Sequence, residues 1–277
     1  MARSRRGQFS RETRVTGVVL LVLILLLGGA WYWYAIRDGG GGGFGGPAGA
    51  DTAERAAAPD SAIDLPPLSA SDEFVRRAAA ELSARPRLAE WLATDSLVRS
   101  FVGAVVKVSA GLSPRDELDF MEPEGSFGVR EPGPGAAVID PASYDRYDPI
   151  VATVVSLDTE GTAELYRRLR PLFQEAYRDL GFRTSFDAAL AGAVEMLLAV
   201  PVPQGPVELE RAGVAGYEYR DPELEGLSPA QKHLLRMGPR NIERVQAKLR
   251  HLVEALDLPV LPARLDARGA DARGRDR

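Results

Sequence analysis

The 277-residue chain has no cysteine and only two histidines, His233 and His251. The first absence removes disulfides, thiolate metal sites and cysteine nucleophiles together. Structural zinc sites take four Cys or His ligands and His-rich catalytic sites take three, so two imidazoles 18 positions apart supply neither. No metal and no cofactor is expected. Serine nucleophile signatures are missing too: EGSFG around Ser126 is not a G-x-S-x-G elbow, and Lys232 stands four residues after Ser228 where S-x-x-K needs three. Gly41, Gly43 and Gly46 fit G-x-G-x-x-G by composition alone, with no strand before them or helix after them to cradle a phosphate. Carboxylate pairs such as Glu122 with Glu124, or Glu223 with Glu225, serve glycosidic chemistry only when a fold sets them across a cleft. No catalytic residue is assigned, and the residues lean away from an enzyme.

What the chain does have is one long uncharged run, VTGVVLLVLILLLGGAWYWYAI, 22 residues from Val15 to Ile36. As a helix it reaches about 33 Å, enough to cross a bilayer core. Trp31, Tyr32, Trp33 and Tyr34 at its far end suit the headgroup level. Cleavage as a signal peptide after the small residues Gly28 and Ala30 is the alternative, and it would strand those four aromatics on an exposed tail. Residues 1–14 carry five arginines against one glutamate, which keeps the amino terminus inside by the positive-inside rule. The expected protein is therefore single-pass in a bacterial inner membrane, amino terminus cytoplasmic, anchored by contact of residues 15–36 with membrane lipid, and periplasmic beyond the membrane.

Residues 37–70 are rich in Gly, Ala and Pro and read as a flexible tether, with an average reach on the order of 30 Å. From 71 to 257 the pattern becomes helical. Asp140-Pro141, Asp148-Pro149, Asp221-Pro222, Ser228-Pro229 and Gly238-Pro239 each look like a helix start, because proline at the first position loses only an unpartnered N–H. Helices are expected at about 72–83, 86–93, 95–110, two short ones within 141–156, then 159–180, 186–199, 229–237 and 239–256. SFGVRE and AAVID flank PGPG like the arms of a β-hairpin, and VELER with GYEYR alternates similarly. The fold class is thus mainly α: a transmembrane helix and a multi-helix periplasmic domain with a small β-hairpin element. Residues 258–277, Pro, Gly and mixed charge, read as a disordered tail.

Two blocks concentrate Tyr, Asp and Arg, DPASYDRYDP at Asp140–Pro149 and ELYRRLRPLFQEAYRDLG at Glu164–Gly181. In the second, Leu165, Leu169, Leu172, Ala176 and Leu180 form the apolar stripe, Arg167 and Arg170 lie on another face, and Pro171 is expected to kink the helix. One arrangement brings Tyr144, Asp148, Arg167, Arg170 and Tyr177 into a polar concavity for an anion or a sugar. The other leaves the Tyr rings half buried, the arginines solvated and Asp140 and Asp148 as helix caps.

Between Ser228 and Leu256, six Lys and Arg, Lys232 and Arg236 among them, face two Glu. A nucleic-acid partner does not fit an acidic domain beyond the membrane. Ile242, Val245, Leu249, Leu252 and Leu256 repeat at three and four residues, which marks a packing seam. Lys232 and Arg236 remain candidates for touching an acidic envelope protein or a glycan.

FGVRE, DPASYDRYDP, LYRRLRPLFQEAY and SPAQKHLLRMGP resemble the bacterial membrane-anchored family known as domain of unknown function 3014, over residues 71–256. The resemblance implies an envelope location and no particular chemistry. The expected function is binding or scaffolding of a cell-envelope component. The rivals are an enzyme processing cell-wall glycan or peptide, and a membrane-tethered assembly factor working through the basic helical hairpin.

Overall fold

Each of the five Asp-, Ser- or Gly-Pro steps opens a helix in the computed structural model, which describes residues 65–258 and 260, with 134 and 213–215 excepted. The basic arm, the apolar run Val15–Ile36 and nearly all of the tether and tail lie outside the described residues. Among the described residues no helix is long and apolar enough to cross a membrane.

In chain order the elements are α1 (Asp72–Ala80), α2 (Pro86–Leu92), α3 (Leu97–Ser109), β1 (Val129–Gly133), β2 (Ala136–Ile139), α4 (Ala142–Asp145), α5 (Asp148–Val155), α6 (Thr159–Asp179), α7 (Phe186–Leu198), β3 (Glu208–Ala212), β4 (Gly216–Tyr219), α8 (Pro222–Glu225), α9 (Pro229–Leu235) and α10 (Pro239–Leu256). Short oxygen side chains set the starts. Asp158, Ser185 and Asp221 each accept an N–H of the first turn of α6, α7 and α8, while Ser228 and Gln231 exchange bonds as a capping box on α9. The start of α3 is capped from a distance, with Asp72 of α1 accepting the Ser96 and Leu97 N–H groups at 2.6 and 2.9 Å.

The fold is mainly helical with one small antiparallel sheet. The two hairpins that the sequence shows separately join through β2 and β3, giving the order β1-β2-β3-β4 with Ala137 opposite Leu209. Four helices lie between those two strands in the chain. Alternation puts Ala137, Ile139, Leu209 and Tyr219 on the buried face, and leaves Glu131–Arg211 and Glu208–Arg220 as ion pairs on exposed side chains.

α3 is the axis of the core. Leu97, Val98, Phe101, Val102, Ala104, Val105 and Val108 are buried, and the helix packs on α6 and α7. Phe101 meets Phe173 and Phe186 edge to face at 5.2 and 5.5 Å between ring centres. α6 runs through Pro171 as a single 21-residue element. Its stripe is buried as the spacing predicts except at Leu180, which is 54% exposed because the helix ends at Asp179 and Gly181, at φ +92°, turns the chain away. Tyr166, Phe173 and Tyr177 join the buried side, so the tyrosines of this helix are core residues rather than half-wet ones.

α10 closes the domain along the predicted seam and packs on α5, α6 and α7. It also carries two buried polar side chains that finish other helices. Gln246 Nε2 donates to the carbonyls of Leu197, Leu198 and Val200 at the end of α7. Lys248 Nζ donates to Leu157 O and to Thr159 Oγ1, between α5 and α6. Burial pushes the Lys248 ammonium below its usual 10.5, partly offset by the charge of Asp158. Between that lowered value and 10.5 the unfolded chain binds more protons at this site, so its contribution to stability rises with pH across that window. Urea titrations at increasing alkaline pH should show Lys248→Met losing this slope; parallel pH profiles for the two proteins would contradict the assignment.

Candidate functional site

Helix α9 and the turn after it present Ala230, His233, Leu234 and Met237 at spacings of three and four, and this stripe forms one wall of a cleft of about 320 Å³. α5 and the residue before it supply a second wall with Tyr147, Ile150, Val151 and Val154. Val108, Leu197 and Val245 from α3, α7 and α10 complete an apolar floor. The third wall is the segment after α3, which contributes Pro114, Leu118 and Pro123.

Local chemistry fixes that third wall. Gly111, at φ +74°, ends α3 in a Schellman arrangement: its N–H donates to Val108 O, and Leu112 N–H donates to Lys107 O. A Cβ at this position would also come within 3.2 Å of the Ser228 side chain, so glycine permits both the turn and its seat against the start of α9. Lys107 then holds Asp116 and Glu117 at 3.2 and 2.8 Å, and Ser113 Oγ meets His233 Nε2 at 2.7 Å.

Three guanidinium groups border the apolar floor. Arg115 pairs with Glu122 at 2.7 Å. Arg146 donates to the carbonyls of Gly125 and Ser143 and stands 5.5 Å from the centre of the Tyr147 ring. Arg236 stands near Tyr219, whose hydroxyl burial pushes above its usual range while the Arg236 charge works against the rise. Asp119 and Glu122 are the acids of the lining. Burial, followed by the charges of Arg236 and Arg115, pushes His233 below 6.5 and keeps the imidazole neutral at pH 7.

The side chains singled out by sequence are distributed over several places. Asp148 accepts from Asn241 at 2.9 Å and from Arg240 at 3.3 Å, joining α5 to α10 instead of serving as a simple cap. Arg167 donates to Ala255 O, and Arg170 pairs with Asp187, which also accepts the Tyr166 hydroxyl. Tyr177 is buried, stacked on Phe182 at 4.6 Å with its hydroxyl 3.2 Å from Thr184 Oγ1. Tyr144 packs against Gly238 and borders a shallow groove of about 440 Å³ with Arg130, Pro203 and Glu243; burial pushes its hydroxyl up to about 12. Arg167 and Arg170 therefore have other partners than Tyr144 and Asp148. Lys232 pairs with Glu225 and lies 5.7 Å from the Tyr219 ring centre. Of the seven, Arg236 lines the cleft.

Arg115, Arg146 and His233 are the cleft residues that sequence reading passes over. Arg146 sits inside DPASYDRYDP, and His233 and Arg236 inside SPAQKHLLRMGP, so two of the segments that carry the family resemblance meet here. Among the described residues no group of three or more His, Asp or Glu is placed to hold a metal ion.

A family model described as protein of unknown function (DUF3014) matches residues 97–253, narrower than the 71–256 read from sequence. The match begins at the first residue of α3, ends within α10, and takes in every residue that lines the cleft. No curated protein and no solved structure matches the chain. More than half of the chain fits the model, and the protein belongs to the DUF3014 family.

Proposed function

We propose that the protein is a single-pass inner-membrane protein whose periplasmic helical domain binds a cell-envelope component, and that the cleft walled by α5, α9 and the segment after α3 is the binding site. The apolar run Val15–Ile36 and the arginine-rich residues 1–14 support the location. The cleft carries the functional reading: an apolar floor ringed by a few directed polar groups is the usual make-up of a ligand site, and about 320 Å³ falls in the small-molecule range.

The enzyme reading has less behind it. Glycan cleavage needs two carboxylates facing each other across a cleft, whereas Asp119 and Glu122 stand three residues apart on one wall and Glu122 is tied to Arg115. The basic hairpin also has less to offer a partner, because Lys232, Arg240, Arg244 and Lys248 all have intramolecular partners.

Full-length protein in lipid nanodiscs should bind the apolar anion 1-anilinonaphthalene-8-sulfonate above the level of empty discs. Leu118→Trp, which fills the cleft from its half-buried wall, should abolish that increment while the melting temperature stays close to the parent value. Undiminished probe binding by a folded Leu118→Trp protein would remove the cleft from consideration.

A further inference from the structure

We propose that the guest of this cleft is a small aliphatic carboxylate, its hydrocarbon chain lying against Val154, Leu197, Leu234 and Val245 and its head group held by Arg146 and Arg236. The inference rests on the cleft being a binding site and adds the class of ligand.

Charge selects the head group. Three guanidinium groups against two carboxylates leave the lining with one net positive charge. Glu122 is occupied by Arg115, and Asp119 turns its carboxylate onto the N–H of Phe120 at 2.7 Å. Arg146 is bonded to carbonyl oxygens, which leave its charge uncompensated, and the nearest carboxylate to Arg236, Glu225, is already paired with Lys232. The basicity of His233, lowered first by burial and further by the charges of Arg236 and Arg115, agrees with a positive potential here. One unit of charge suits a carboxylate; a phosphomonoester, at roughly −1.5 to −2, overfills it.

Shape selects the rest. An α-helix is about 10–12 Å across and does not enter a space of about 320 Å³. An extended peptide draws its affinity from a free strand edge, and these walls are helix side chains with Pro114 and Pro123, which have no N–H to offer. A sugar needs a ring of directed hydrogen bonds, and the floor is valine and leucine.

The test is displacement of anilinonaphthalene sulfonate from the full-length protein in nanodiscs by octanoate, octanol, octylammonium and octyl phosphate. Octanoate should displace the probe at least about tenfold more tightly than octanol, the effect of one charge-assisted bond. Arg236→Gln should lower that preference and Asp119→Asn should raise it; the second change adds no void, so the pair remains informative if the first impairs folding. Equal binding of octanol and octanoate, with both lost in Leu118→Trp, would keep the cleft and overturn the carboxylate. Tighter binding of octyl phosphate, or of a short peptide ending in a leucine carboxylate, would also overturn it in favour of those classes. Failure of all the compounds to displace the probe would count against cleft and ligand together.

Discussion

Leu249→Ala is expected to lower the stability of the domain by about 2 to 5 kcal/mol, the range for removing a large aliphatic side chain from a packed interior. Leu249 is 0% exposed and lies mid-seam on α10 between Val245 and Leu252, both buried. α10 packs there against α5, α6 and α7 at once, and three helices cannot all close on a vacancy. Urea denaturation monitored by circular dichroism measures the loss. A change below about 1 kcal/mol, the level of a surface substitution, would show that the seam does not carry the packing.

Gly238→Ala is expected to cost about as much for a different reason. Gly238 joins α9 to α10 with φ +80° and ψ 164°, a region that is essentially reserved for glycine and costs other residues about 1–3 kcal/mol. A methyl group there would also sit 2.4 Å from Cγ of Tyr144. The ring is held on α4, and overpacking of this kind adds roughly 1–3 kcal/mol. The total is about 2–6 kcal/mol, measured as for Leu249→Ala. Gly238→Ala combined with Tyr144→Ala should recover the clash component and leave the backbone component. A single variant as stable as the parent would mean that the corner relaxes without either penalty.

How far the sequence reaches depends on the range of the interaction. α10 begins at Pro239 and ends at Leu256 as the periodicity and the Gly-Pro step predict, because both signals are local. The hairpins are legible for the same reason. Their union is not, since pairing of Ala137 with Leu209 depends on where four intervening helices bring the strands. The site follows the same division. The stripe Ala230, His233, Leu234 and Met237 is visible as a period, but Arg115 and Arg146 arrive beside it from elements more than 80 residues earlier in the chain. Arg170 and Asp148 misled because spacing identifies a face and not the residue opposite; Asp187 and Asn241 are those residues.

The buried ends of α5 and α7 have a consequence for the order in which the domain is made. The Leu157 carbonyl in the turn after α5 is satisfied by Lys248, 91 residues later in the chain, and the Leu198 carbonyl at the end of α7 by Gln246, 48 residues later. A chain emerging amino terminus first therefore holds that turn and that helix terminus without these partners until its final helix appears. During that interval α1 to α9 lack the Leu249 seam of the core. Non-local closure of this kind is slow and leaves apolar surface exposed while it waits. The complete domain, and with it the shaped cleft, thus requires residues 239–256, which supply Leu249 to the core and Val245 to the cleft floor.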